Sequence, residues 1–457
     1  MPVSERRSFR DPAGCLILEE DRALRLVNPE FAGDVLEFLK SPIARNWTVR
    51  GRLIASEVVD GGRSCSPLRL AHPRVWFPSY AWEWTPNQLG RAGQLTLDFC
   101  EDLIDAGWIL KDATPSNVLF EGPEPVFVDV LSVQRHDPED PIWLAYGQFV
   151  RTFLLPLTAF RTLRWPLATL LTRRDGYEPD DLYAALGPWQ RMRAPWRSLV
   201  TLPALLGKRT SGAPGRSIRQ SPAVARAILK RTLRSLRKKL QQLTSPPGRS
   251  TWSDYQESAT HYQAADRTRK ADFVQECLDL ARPRHVLDIG GNTGFFSRIA
   301  ASNGAHVVAW DTDVSATEHS WRAAQAEGLP VLPLVADFAR PTPAAGWNNA
   351  ETLSLLDRSR GRFEMVVMLA VLHHLLAHDQ IPMGHVAETV RSLTSDWLLI
   401  EWVAPEDEKF RRLSNGRDAL YQGLTEEAFL AAFGRYFSPV RRAALDNGRS
   451  LHLFRAK

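Results

Sequence analysis

Residues 284–294 read RHVLDIGGNTG, and FFSRIAASNG follows directly at 295–304. An apolar strand that runs into a glycine-rich turn and then a helical stretch is the opening βα unit of a doubly wound sheet. The helix N-terminus of such a unit receives a ligand, and glycine lets the backbone come close to it. The pattern is Asp288-x-Gly290-x-x-x-Gly294, with Gly291 and Asn292 inside the turn. A dinucleotide turn asks for GxGxxG instead. The acid two residues before Gly290 would repel a pyrophosphate, but it can accept hydrogen bonds from a cationic amino-acid head group. Asn292 stands at a turn position where an unusual backbone conformation is tolerable for asparagine.

Working outward, AHVVAWDTD (305–313) reads as a second strand ending near Asp311, 23 residues after Asp288. An acid there can accept from both hydroxyls of a ribose. A third strand, VLPLVADF (331–338), ends in Asp337 and Phe338, suited to an adenine amino group and a stacking surface. A fourth, FEMVVMLAVLHHLL (363–376), passes through Leu369 and ends in His373 and His374. A fifth, WLLIEWVAP (397–405), carries Glu401 at its end. Ligands of open α/β sheets bind outside the carboxyl ends of the strands, which is where these acids and histidines fall. One histidine of the pair is expected in the core. The other faces the pocket and orients an acceptor or takes its proton. Glu401 reads either as a plain strand-end acid or as a holder of a substrate hydroxyl or amine.

VLDIGGNTG, VVAWD, VADF and VVMLAVLHHL, in this order and spacing, resemble the successive motifs of class I S-adenosylmethionine-dependent methyltransferases, from Trp252 to the end of the chain. The resemblance implies a Rossmann-like domain that transfers a methyl group directly from S-adenosylmethionine. It implies cofactor binding by Asp288, Gly290, Gly291, Asn292 and Gly294, ribose binding by Asp311, and adenine recognition by Asp337 and Phe338, with Leu369 beside them. His373, His374 and Glu401 are the candidates for work on the acceptor. Ahead of the glycine turn, residues 251–278 read as a helical lid in which Tyr255 and Tyr262, seven apart, share a face. They either cover the methionine end of the cofactor or pack a capping helix. The long stretch from Pro341 to Arg362 is expected to form a substrate wall.

A second constellation stands at 95–131, LTLDFCEDLIDAGWILKDATPSNVLFEGPEPVFVDVL. A helix precedes a loop carrying Asp112 and Asn117, five apart, and two short strands flank EGPEP before Asp129. This resembles the catalytic core of protein-kinase-like and aminoglycoside-phosphotransferase-like enzymes. The resemblance implies an α+β domain in which Asp112 positions an acceptor hydroxyl, and Asn117 and Asp129 hold Mg²⁺ between nucleotide phosphates, making Mg·ATP a second candidate ligand. Lys111 and Val130-Leu131 depart from the usual residues, and no glycine-rich phosphate loop stands in the first 90 residues. Three readings stay open here: an active kinase of a glycan or small molecule, a degenerate kinase fold that binds without transfer, and an unrelated fold.

The net charge of +5 conceals an asymmetry: residues 182–253 contain no Asp or Glu and 15 Lys and Arg, which leaves 5 − 15 = −10 for the rest. Three regions follow: a kinase-like domain at 1–180, a basic connector at 181–250, and the methyltransferase domain at 251–457. Within the connector, 223–243 reads as an amphipathic helix. It is either an interdomain helix with a solvated basic face or a helix for an anionic membrane surface. Nucleic acid is less favoured, because no aromatics interleave with the basic residues. Four cysteines without a CxxC pair exclude a local thiolate zinc site and fit a reducing compartment. The apolar stretch 149–171 is broken by Arg151, Pro156, Arg161, Arg164 and Pro166, so it should not span a bilayer. The N-terminus shows no apolar signal segment. The expectation is a cytoplasmic enzyme, with peripheral membrane attachment as an open alternative. Its acceptor would be a small molecule or a glycan. The competing functions are a substrate-presenting protein and an RNA methyltransferase.

Overall fold

A computed structural model describes residues 5–8, 10–19, 21–60, 67–210, 219–244 and 261–457. The chain forms two compact units, one of residues 1–120 and 125–246, the other of residues 121–124 and 247–457.

The first unit opens with an antiparallel sheet of five strands in the order β1-β2-β3-β5-β4. These are β1 (Glu5–Ser8), β2 (Gly14–Leu18), β3 (Arg22–Val27), β4 (Glu57–Asp60) and β5 (Leu68–Pro73). Two helices, Pro29–Lys40 and Pro42–Val49, fall between β3 and β4. The helix Pro86–Asp105 starts on a capping box: the Thr85 hydroxyl accepts from the Gln88 amide (3.2 Å) and the Gln88 side chain accepts from the Thr85 amide (2.8 Å). Then come β6 (Trp108–Leu110), the hairpin β7 (Val118–Glu121) and β8 (Glu124–Phe127), and β9 (Val133–Arg135), which pairs with β6. Phe99 on the long helix gathers Phe38, Trp47 and Phe127 around it as the unit's aromatic core.

The basic helix runs over Pro222–Thr244 and belongs to this unit. Leu229, Leu233, Leu236 and Leu240 are buried. Its partner is the helix Pro86–Asp105. A Cβ on Gly93 would come within 3.2 Å of Leu240 and 3.1 Å of Phe153, so glycine permits the close approach. Arg237 donates to Asp98 (2.9 Å) and Glu101 (2.8 Å), and Lys230 to Asp105 (2.7 Å). The apolar stripe that would enter a membrane surface is therefore already covered by protein. Val224 and Ile228, on the first two turns of the helix, are exposed.

The second unit holds a seven-stranded sheet in the order β12-β11-β10-β13-β14-β16-β15. The first five strands are parallel: β10 (His285–Ile289), β11 (His306–Asp311), β12 (Val331–Val335), β13 (Phe363–Met368) and β14 (Thr394–Trp402). β15 (Phe437–Ala444) and β16 (Ser450–Ala456) add an antiparallel pair beside β14. The inner strands are apolar almost throughout, as a sheet covered on both faces requires. Helices follow β10 (Phe295–Ser302) and β11 (Val314–Glu327). The strand order reverses between β10 and β13, so a switch-point crevice opens beyond their carboxyl ends. Two expectations are corrected. β13 stops at Met368, so His373 and His374 lie on a following helix, Leu372–Ala377, and not at a strand end. β12 stops at Val335, two residues before Asp337. Tyr255 and the side chain of Tyr262 lie outside the described residues.

Candidate functional site

The turn after β10 is locked onto the end of β11. The amides of Gly290 and Gly291 both donate to the Trp310 carbonyl (2.8 and 3.1 Å). Gly290 and Gly294 sit at φ +75°, and Asn292 at φ +48°, the left-handed region that asparagine tolerates better than most residues. A Cβ on Gly291 would meet the Cβ of Ala309 at 3.0 Å and Asp288 Oδ2 at 3.4 Å. The turn thus keeps its backbone bare. Asp311, at the end of β11, accepts from the Asn292 amide through Oδ2 (2.8 Å) and from the Asp313 amide through Oδ1 (2.8 Å). Burial raises its pKa, and those two amides oppose the rise. Asp288 is buried, takes a hydrogen bond from the Ser297 hydroxyl (2.6 Å), and is pushed up to about 6 by burial, with Asp311 adding to the shift. Two carboxylates and three left-handed residues therefore converge at one strand edge.

Leu369 is buried just beyond β13. Its neighbour Ala370 is held at φ +56°, a conformation that strains a residue carrying a Cβ. Asp337 caps its own turn, with Oδ1 accepting from the Ala339 amide (2.8 Å), while Oδ2 pairs with Arg340 (2.8 Å). Phe338 is half-buried. His373 is buried with both ring nitrogens unpartnered, and burial pushes it down to about 3, so it stays neutral. His374 packs on it at a ring distance of 4.3 Å and is exposed.

Glu401 is fully buried, and it is not a free carboxylate. Lys270 Nζ donates to both of its oxygens (2.7 and 2.8 Å), and Arg449 approaches Oε1 at 3.3 Å. Arg449 also donates twice to Asp407 (2.8 and 3.0 Å), which it holds below the usual carboxylate range. Neither Lys270, Arg449 nor Asp407 stands out in the sequence. They reach the site from the helix His261–Ala281, from the residue before β16, and from the loop after β14.

Residues 262–429 match a family described as "Methyltransferase domain". The protein is an S-adenosylmethionine-dependent methyltransferase. Over 98% of its length it is 29% identical to "Nodulation protein NoeA" of Rhizobium meliloti (strain 1021), covering 95% of that protein. Among solved structures it is similar to N-methyltransferase NodS from Bradyrhizobium japonicum WM9, with 14% identity, a TM-score of 0.32, and coverage of 42% of this chain and 97% of the other. It is also similar to magnesium protoporphyrin IX methyltransferase (ChlM) from Synechocystis PCC 6803, with 16% identity, a TM-score of 0.32, and coverage of 48% and 92%.

The methyltransferase carries its second constellation in the first unit, where Asp112, Asn117 and Asp129 come together around β6, β7 and β8. Asn117 is buried, and its amide donates to the Ser132 hydroxyl (2.9 Å) and the Asp112 carbonyl (3.4 Å). Burial raises the pKa of Asp112, against the pull of Lys111. Asp129 is paired through Oδ1 with Arg25 of β3 and accepts the Ser132 hydroxyl through Oδ2. Arg25 also donates to the Val128 carbonyl (3.2 Å). Mg²⁺ wants anionic oxygens in an open octahedral shell. Here both oxygens of Asp129 are engaged and a permanent guanidinium charge lies against them. Among the described residues no three His, Cys, Asp or Glu side chains gather as a metal group. The side chains as arranged do not fit Mg·ATP.

Proposed function

We propose that the second unit methylates a small-molecule or glycan acceptor held beyond β13 and β14, and that the first unit binds substrate or partner without phosphoryl transfer. The observation that carries the methyl-transfer geometry is the bare turn Gly290–Gly294 lying between the carboxylates of Asp288 and Asp311. In this reading Asp288 accepts from the cofactor's ammonium, Asp311 from its ribose hydroxyls, and Asp337, Phe338 and Leu369 flank its adenine. When bound, S-adenosylmethionine supplies a methyl group already activated by its sulfonium. What remains for the protein is to align the nucleophile and receive its proton. His374 is exposed beside the strand edge and neutral His373 lies behind it, so His374 is assigned to the acceptor and His373 to positioning. Glu401 is assigned to holding Lys270 and Arg449 at the edge, since its own oxygens are occupied. The stretch Pro341–Arg362 is assigned to the acceptor wall.

For the first unit, the helix–loop–hairpin order with Asp112, Asn117 and Asp129 supports a kinase-like origin. The Arg25–Asp129 pair supports loss of the metal site. Similarity to a nodulation protein over 98% of the chain supports a function that needs both units.

The test is calorimetric titration of the full chain with S-adenosylmethionine and, separately, Mg·ATP. Asp311→Ala should weaken S-adenosylmethionine binding by about 1.5–3 kcal/mol, the worth of a hydrogen bond to a charged group. Unchanged affinity removes Asp311 from the ribose site. Mg·ATP should give no binding heat. Binding of Mg·ATP that vanishes in Asp129→Ala would restore the first unit as a nucleotide site.

A further inference from the structure

The basic region holds an apolar surface that the sequence pattern does not single out, because it lies outside the long amphipathic helix. Trp189 and Met192 stand one turn apart on the short helix Pro188–Met192, and they are 84% and 66% exposed. Leu202, Leu205 and Leu206 recur at i, i+3 and i+4 on the helix Leu202–Thr210 and are 47–53% exposed. The other side of this segment is an ordinary interior, with Leu199, Val200 and Ala204 buried. The segment is thus anchored by one apolar face and presents a second one outward. Single exposed leucines are common on protein surfaces, but five large exposed apolar side chains within 18 residues, on two helices that both pack on Arg197–Thr201, are the feature that singles this segment out.

The charge around this surface selects its partner. Arg193 and Arg197 are exposed within it, and no Asp or Glu occurs anywhere from 182 to 253. Tryptophan and leucine that enter an interface, with arginine beside them on a segment that itself holds no acid, form the composition of an element that lies on an anionic bilayer surface. A symmetric contact with a second copy would set Arg193 and Arg197 against their own counterparts, with like charges opposed. A nucleic acid would use the arginines but leave the leucine stripe in water.

We propose that helices Pro188–Met192 and Leu202–Thr210 dock the methyltransferase on anionic lipid. Trp189, Leu205 and Leu206 enter the boundary between head groups and acyl chains, and Arg193 and Arg197 meet lipid phosphates. This inference is independent of the identity of the methyl acceptor. It also moves the membrane contact away from the helix Pro222–Thr244, whose apolar face is already packed.

The experiment is cosedimentation of the full chain with vesicles of phosphatidylglycerol mixed into phosphatidylcholine, against phosphatidylcholine alone, at low and high salt. Binding should require phosphatidylglycerol and weaken with salt. Trp189→Ser with Leu205→Ser should lower the bound fraction about tenfold or more. Arg193→Gln with Arg197→Gln, which leaves the packed side untouched, should also weaken binding and flatten its salt dependence. S-adenosylmethionine affinity should be unchanged in both variants, and an unchanged urea midpoint of the first unit reports that the unit carrying the substitutions is folded. The proposal is overturned if the intact chain ignores phosphatidylglycerol vesicles, or if both variants bind as well as the parent. It is equally overturned if the Trp189 variant loses self-association in place of lipid binding.

Discussion

Asp288 sets the most direct demand at the scale of a residue. Burial lifts its pKa to about 6 in the free protein, while a cationic head group needs it ionised. An acid whose folded pKa lies above its unfolded value near 3.9 binds more protons when folded, so its ionisation costs stability as pH rises from the unfolded value through the folded one. In the proposed reading the cofactor's ammonium offsets that cost by pairing with the anion. S-adenosylmethionine affinity should therefore be level above about pH 6 and fall about tenfold per pH unit below it. His373, pushed down to about 3, does not titrate in that window. Asp288→Asn should bind more weakly at pH 8 and lose the pH dependence. Titration calorimetry between pH 5 and 8 reads both effects, and a slope that survives in Asp288→Asn would assign it to another group. The places of the glycine turn and of Asp311 in the fold were legible because the pattern is local: a strand, a turn and an acid at fixed spacing. The partners of Glu401 were not, because Lys270 lies 131 residues before it and Arg449 lies 48 residues after it. Arg25 meets Asp129 across 104 residues for the same reason, and no spacing rule reaches that far.

At the scale of an element, the sequence pattern identified the amphipathic helix at 223–243, but not what its apolar side faces. Periodicity reports that one side is apolar and is silent on whether lipid or protein covers it. The answer lies in Gly90 and Gly93 of the partner helix. They read as indifferent helix residues until Leu240 and Thr244 are seen against them. Gly93→Val should destabilise the first unit by about 1–3 kcal/mol, because the added methyls meet Leu240 and Phe153 in a packed interface. Gly33, on the helix Pro29–Lys40, has open space where its Cβ would go and serves as the control. Gly33→Ala should be neutral or slightly stabilising, since alanine is the better helix former. Urea unfolding of the two variants compares them directly, and equal midpoints would mean the helix pair is loosely packed. The strand–helix boundary at His373 was misplaced by the same kind of ambiguity. Residues 365–372 form one unbroken apolar run, and such a run does not show where strand gives way to helix.

At the scale of the whole molecule, each unit has its own core, one around Phe99 and one around the seven-stranded sheet. A ligand that binds one native unit stabilises that unit by RT ln(1 + [L]/Kd), about 2.7 kcal/mol at a hundredfold excess over Kd. For a unit of this size that corresponds to a rise of roughly 5–11 °C in its melting temperature, at 2–4 °C per kcal/mol. Scanning calorimetry should therefore show a transition that S-adenosylmethionine moves upward and a second that it leaves in place. Gly93→Val should lower the second and leave the first. Mg·ATP should move neither, because the Arg25–Asp129 pair occupies the position the metal would need. A single transition that S-adenosylmethionine and Gly93→Val both shift would show that the units melt as one body. An upward shift of the Gly93-sensitive transition by Mg·ATP would show that the first unit still receives a nucleotide, and the Arg25–Asp129 pair would then be a resting contact that the metal displaces.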